Sequence, residues 1–278
     1  MEVKVLSSKL VKPAYTAGEA PMPATEYIPL SMFDRVTFEM QMAIIYAFAP
    51  PAPTTASIEK GLATVLAQYR AFAGQLGKSP DGTPSASEGR GRPFSRFETI
   101  LAHLWRTMTR ARDLSPEQTS KIRLSVDGRH RLGQPAEYFG NMVLWAFPRS
   151  TVGDLLNRPL KHAAQVIHDE VARVDGAYFQ SFVDFASSGA AEKEGLARSA
   201  VCKDAHCPDV EVDSWLTFPF YELDFGTGSP SYFMPAYFPT EGMLFLAPSN
   251  FGDGSVDAFV PLFQENLQAF KECCYSME

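Results

Sequence analysis

The sequence predicts an α/β protein with a mixed sheet flanked by helices. Three observations carry this. Apolar residues recur at helical spacing in long segments, among them Phe97, Ile100, Leu101, Leu104, Trp105 and Met108. Short alternating or apolar runs, such as Ile122, Leu124 and Val126 or Met243 to Ala247, read as strands. The two kinds of segment are interspersed along 278 residues, of which 45% are hydrophobic, enough for one large core or two small ones.

In chain order, Val3, Val5 and Leu6 open a strand-like stretch, and Pro13, Pro21, Pro23 and Pro29 make the next segment irregular. Thr37 to Phe48 is apolar and reads as a buried strand. Thr54 and Thr55 are candidate caps for a helix from about Ile58 to Ala73, with Ile58, Leu62, Val65, Leu66, Tyr69 and Phe72 at helical spacing. Residues 77–93 are rich in Gly, Pro and Ser and form the natural boundary between a first domain, 1–76, and a second, 94–278.

Beyond the boundary, Ser95-Arg96-Phe97-Glu98 is a capping box for the helix that follows. Ser115-Pro116-Glu117-Gln118 reads as a second box, with proline at the first helical position. A strand over Ile122 to Val126 ends at Asp127-Gly128, and Met142 to Phe147 is another. Thr151 caps one long helix with Leu155, Leu156, Leu160, Ala163, Ile167, Val171 and Val174 on its face, continued by an aromatic-rich helix from Tyr178 to Phe185. Strands follow at Asp213 to Phe218, Met243 to Ala247 and Val256 to Phe259, then a last helix from Gln264 to Cys273.

Composition excludes several classes. Lys and Arg total 25 against 32 for Asp and Glu, a net charge of −7, so there is no general electrostatic footprint for nucleic acid. No apolar run reaches the length of a membrane span; Met40 to Pro53 is cut by Pro50, Pro51 and Pro53. The first residues lack a secretory pattern, and four cysteines make no disulfide framework, so a cytoplasmic location is expected. Cys202 and Cys207 flank His206 with Asp204 and Asp209 nearby, but a second half-site is missing, and no metal is expected.

Gly226-Thr227-Gly228 lacks the third glycine and the capped helix of a phosphate loop. Gly252-Asp253-Gly254-Ser255 reads as a hairpin turn. Of the histidines, His103 sits mid-helix beside core positions, and His162 and His168 are six apart and do not share a face. His168 with Asp169 and Glu170 reads as a solvated face, and His130 lies between Arg129 and Arg131. None is assigned a catalytic role.

Three passages in this order are similar to the plant BAHD acyltransferases, which pass an acyl group from coenzyme A to an alcohol or amine. They are Leu30 to Asp34 leading into Tyr69 to Leu76; Ser125 to Leu132 followed by Tyr138 to Asn141; and Ser214-Trp215 through Asp224-Phe225-Gly226-Thr227-Gly228 to Pro230. The helix from Phe97 to Met108 and the ending from Pro239 to Gly254 also fit. The resemblance implies a chloramphenicol acetyltransferase-like fold, acyl-CoA as co-substrate with no bound cofactor, and a small amine as acceptor. Thr227, where the family usually has tryptophan, resembles the branch that acylates amines with hydroxycinnamoyl or benzoyl groups. By the same resemblance Asp224, Phe225, Gly226, Thr227 and Gly228 are structural, and Asp224 pairs with Arg129 away from the chemistry.

One departure outweighs these matches. The family's base is the histidine of His-x-x-x-Asp, and the residues four beyond the five histidines are Thr107, Gln134, Val166, Ala172 and Val210. In the family the motif lies between the passages that 77–93 joins here, so an internal deletion with its junction near Pro84 to Glu88 is the simplest account. The first domain is then a remnant. Its Phe38, Ile44, Ile45, Phe48, Leu62, Leu66 and Phe72 are expected to lack part of their covering layer, and the chain is expected to be an impaired transferase or a non-catalytic truncated product.

Overall fold

The computed structural model describes residues 8–16, 30–36, 42–73, 94–135, 138, 140–196, 206–236 and 240–276. The strand-like stretch at Val3 to Leu6, Phe38, and the boundary at 77–93 lie outside the described residues. In chain order the elements are α1 (Met32–Val36), β1 (Ile44–Ala47), α2 (Thr55–Gln68), α3 (Arg96–Ala111), β2 (Thr119–Asp127), β3 (Val143–Ala146), β4 (Arg149–Thr151), α4 (Val152–Asn157), α5 (Leu160–Arg173), α6 (Gly176–Ser187), α7 (Ala190–Lys193), β5 (Val210–Ser214), β6 (Tyr232–Pro235), β7 (Met243–Pro248), β8 (Val256–Phe259) and α8 (Leu267–Cys273).

Two compact units interleave along the chain. The larger takes Leu30–Met42, Thr83–Phe218 and Tyr237–Glu278, and the smaller takes Met1–Pro29, Ala43–Gly82 and Pro219–Ala236. This differs from a division at 77–93 alone. The reason is strand pairing: β6, late in the chain, is the antiparallel partner of β1, with Ile45 opposite Met234 and Tyr46 opposite Phe233.

The larger unit is built on a sheet ordered β3-β2-β5-β7-β8, with β4 also pairing β2. The pairs β2–β5 and β5–β7 are parallel, and β2–β3, β2–β4 and β7–β8 are antiparallel, so the sheet is mixed. β7 is apolar throughout, and Met243, Leu244, Phe245, Leu246 and Ala247 are all buried, as a strand covered on both faces requires. β2 alternates instead: Ser120, Ile122, Leu124 and Val126 are buried, while Arg123 and Ser125 are half-buried.

Helix α3 covers the core side of this sheet. Ser95 Oγ accepts from Glu98 N–H at 3.1 Å, and the Glu98 carboxylate accepts from Ser95 N–H at 2.5 Å, so the box seen in the sequence forms. Leu101, Leu104, Trp105 and Met108 then enter one core with Ile122, Leu124, Ile167, Phe179, Val212 and Leu244. Fully burying side chains of this kind contributes about 1.5–3 kcal/mol each.

Several expected elements change. Ser115-Pro116-Glu117-Gln118 closes a turn, not a helix: Gln118 N–H donates to the Ser115 carbonyl at 3.0 Å and Ser115 N–H to Gln118 Oε1 at 2.9 Å. The residues after it alternate, so the strand begins at once. The long helix expected from Thr151 breaks into α4 and α5 at Arg158-Pro159, because proline has no N–H to continue α4. Asp175 caps α6 separately, accepting from Tyr178 N–H at 2.9 Å. The strand expected at Asp213 to Phe218 begins earlier, at Val210, and ends at Ser214, where Phe218 N–H turns back to the Trp215 carbonyl.

In the smaller unit Thr54 caps α2, accepting from Ser57 N–H at 3.1 Å. The strand expected over Thr37 to Phe48 is described as a strand at Ile44–Ala47. The aromatic centre is Phe233, 1% exposed, stacked on Phe220 with centroids 3.8 Å apart and tilted against Tyr46 at 5.5 Å. Ile44, Ile45, Leu62 and Phe72 are exposed, while Phe48 and Leu66 are half-buried.

Candidate functional site

The Asp-Phe-Gly-Thr-Gly loop lies in the smaller unit and is closed by its own aspartate. Asp224 Oδ1 accepts from Gly226 N–H at 2.7 Å, Thr227 N–H at 3.1 Å and Gly228 N–H at 2.9 Å. Gly226 and Gly228 have φ of 92° and 99°, which side-chain-bearing residues rarely adopt. The backbone bonds, that from Gly226 first, hold the exposed Asp224 carboxyl below its ordinary range. Phe225 packs inward, its ring 6.3 Å from that of Phe48, and it lies so close to Gly61 that a Cβ there would sit 3.1 Å from the ring.

Arg129 belongs to the larger unit. Its guanidinium donates to Asp127 Oδ1 at 3.0 Å and to the Gly140 carbonyl at 2.8 Å, tying the end of β2 to the approach of β3. Gly128 beside it is required by packing: a Cβ there would lie 2.3 Å from Cε1 of Phe179, a fully buried ring. The expected partners Asp224 and Arg129 thus fall in different units, and each has local partners of its own.

The face of β2 and β5 away from α3 holds a polar ladder that sequence reading did not single out. Lys121 Nζ lies 3.4 Å from Asp209 Oδ2, Arg123 Nη1 donates to Glu211 Oε1 at 3.0 Å, and Ser125 Oγ donates to Asp213 Oδ1 at 2.9 Å. Arg123 also stacks on the Trp145 ring, 4.4 Å from its centroid. His206 Nε2 lies 3.4 Å from the other Glu211 oxygen. In the third rung a hydroxyl replaces the cation, and burial raises Asp213 above the ordinary carboxyl range against the opposing pull of Ser125 and Arg123. The signal was present as alternation: basic or hydroxyl residues at 121, 123 and 125, and acids at 209, 211 and 213.

At one end of this ladder Arg112 and Glu241 form a buried pair, with side chains 1% and 4% exposed. Glu241 Oε1 accepts from Arg112 Nε at 2.9 Å and Nη2 at 2.7 Å, and Oε2 accepts from Cys207 N–H at 3.2 Å. Arg112 Nη1 donates to the carbonyls of Pro208 and Asp209. Gly242 makes room for this: its φ is 84°, and a Cβ would lie 2.6 Å from Arg112 Nη2.

The side chains of His103, His168 and His206 each have a partner. His103 Nε2 lies 2.7 Å from the Cys274 carbonyl, which the ring N–H reaches as donor. His162 Nε2 is buried with no hydrogen-bond partner among the described residues. His168 is not the solvated residue expected: its Nδ1 lies 3.0 Å from Glu98 Oε1, with the Phe94 ring edge-on at 5.5 Å. His130 is exposed. Among the described residues no group of three or more His, Cys, Asp or Glu is placed to hold a metal ion, and no helix is long and apolar enough to cross a membrane.

Comparisons place the chain. It is 53% identical to putrescine hydroxycinnamoyltransferase 3 of Oryza sativa subsp. japonica over 437 aligned positions that cover the whole of both chains. With 278 residues, more than a third of those positions face a gap on this side. Agmatine coumaroyltransferase-1 of Hordeum vulgare is 52% identical over 69% of this chain and 45% of its own length. TRI101 of F. sporotrichioides, solved with coenzyme A and T-2, superposes with a TM-score of 0.56 at 23% identity, over 65% of this chain and 42% of that one. That likeness confirms the fold as chloramphenicol acetyltransferase-like, a mixed sheet flanked by helices. A model described as the Transferase family matches residues 82–277, well over half of the sequence, and the chain belongs to that family, the BAHD acyltransferases.

Proposed function

We propose that this chain derives from a transferase that moves a hydroxycinnamoyl or benzoyl group from coenzyme A to an amine, and that as it stands it is inactive or strongly impaired. One observation carries this reading: a chain that aligns end to end with a putrescine hydroxycinnamoyltransferase has no histidine followed four residues on by aspartate. An alkylamine has a pKa near that of lysine, roughly 10.4, and must lose a proton before it attacks the thioester. Losing general-base help costs about 10²–10⁴-fold.

The names of the relatives support the amine as acceptor: putrescine, agmatine and tryptamine transferases of rice and barley. Acyl-CoA is the co-substrate in this reading, with no metal or bound cofactor, in the cytoplasm. In this reading residues 1–76 derive from the first domain of the full-length enzyme and 94–278 from its second, with Pro219–Ala236 packing in the same compact unit as most of the first stretch. Asp224 anchors its loop and takes no part in proton transfer, as its three backbone bonds support.

The test is direct. Purify the chain and assay transfer from coumaroyl-CoA, feruloyl-CoA and benzoyl-CoA to putrescine, agmatine and tryptamine beside a full-length relative. Turnover at least about 10²-fold below the relative is expected. Comparable turnover overturns the reading and sends the search for a base to His130 or His103. The alignment gap also favours a second reading, a non-catalytic product of a pseudogene, splice variant or mistaken gene model. Sequencing the transcript across Ser79 to Gly91 decides it: an inserted frame with His-x-x-x-Asp marks the 278-residue chain as an artefact.

A further inference from the structure

We draw no further inference here: the strongest candidate, the exposed apolar face of α2 formed by Ile58, Leu62 and Val65, carries none, because nothing in the structure shows what covers it.

Discussion

Replacing Arg112 with alanine is expected to destabilise the larger unit more than any surface change. The guanidinium gives Glu241 Oε1 two N–H bonds, at 2.9 and 2.7 Å, and gives two more to the carbonyls of Pro208 and Asp209. With side chains 1% and 4% exposed, water does not reach either group to compensate. Arg112→Ala leaves Glu241 with the Cys207 N–H as its remaining partner and strips both carbonyls. Removing one member of a buried pair costs about 3–5 kcal/mol, mostly from the charge left behind. That is a large share of the roughly 5–15 kcal/mol that holds a domain together. Urea unfolding followed by tryptophan fluorescence reads it, because Trp105, Trp145 and Trp215 all lie in the larger unit. With a slope near 2 kcal/mol/M, the midpoint falls by about 1.5–2.5 M. The variant R112M/E241M removes both charges together and recovers most of the loss. A midpoint for Arg112→Ala within about 0.5 M of the wild type, or a double variant no more stable than the single one, refutes the reasoning.

Three further outcomes are expected. Gly128→Ala puts a Cβ 2.3 Å from the buried Phe179 ring and costs about 1–3 kcal/mol in the same urea titration. Asp213 has its pKa raised by burial, so its contribution to stability is fully present below the ordinary value of 3.8 and is lost as pH rises through the higher folded value. Asp213→Asn, which keeps an oxygen for Ser125, is therefore at least as stable as the wild type at pH 7, and its advantage shrinks as pH falls through the mildly acidic range. Paired thermal melts at the two ends of that range check the sign. Asp224→Ala removes the acceptor of three loop N–H groups, so limited proteolysis within 225–229 is faster than in the wild type, while Asp224→Asn stays close to it.

The sequence carried local signals well and long-range ones poorly. The Ser95–Glu98 box, the α3 face and strand β8 were legible because each depends on residues within a turn or two of one another. The Ser115–Gln118 box misled because cap chemistry also closes a turn, and the alternation from Thr119 onward decides between them. Strand β6 went unread because it ends in proline beside aromatic residues, and its partner β1 lies almost two hundred positions earlier. The interleaving of the two units follows from that pairing, which no local pattern announces.

The site shows the same division in its chemistry. Asp224 was expected from the family resemblance to be structural and to pair with Arg129; its three loop bonds, closed by glycines with positive φ, come from the structure. The β2–β5 ladder could not be assigned from a motif, since its two halves are 88 residues apart and become neighbours through a parallel register that sets Arg123 opposite Glu211. Once that register is fixed, strand periodicity forces the remaining rungs: residues two before and two after Arg123 must face those two before and two after Glu211. A carboxylate beside a hydroxyl then follows at Ser125 and Asp213 without any further choice of conformation. What sets this polar face is therefore the sheet topology of the larger unit, which brings residues 88 positions apart side by side.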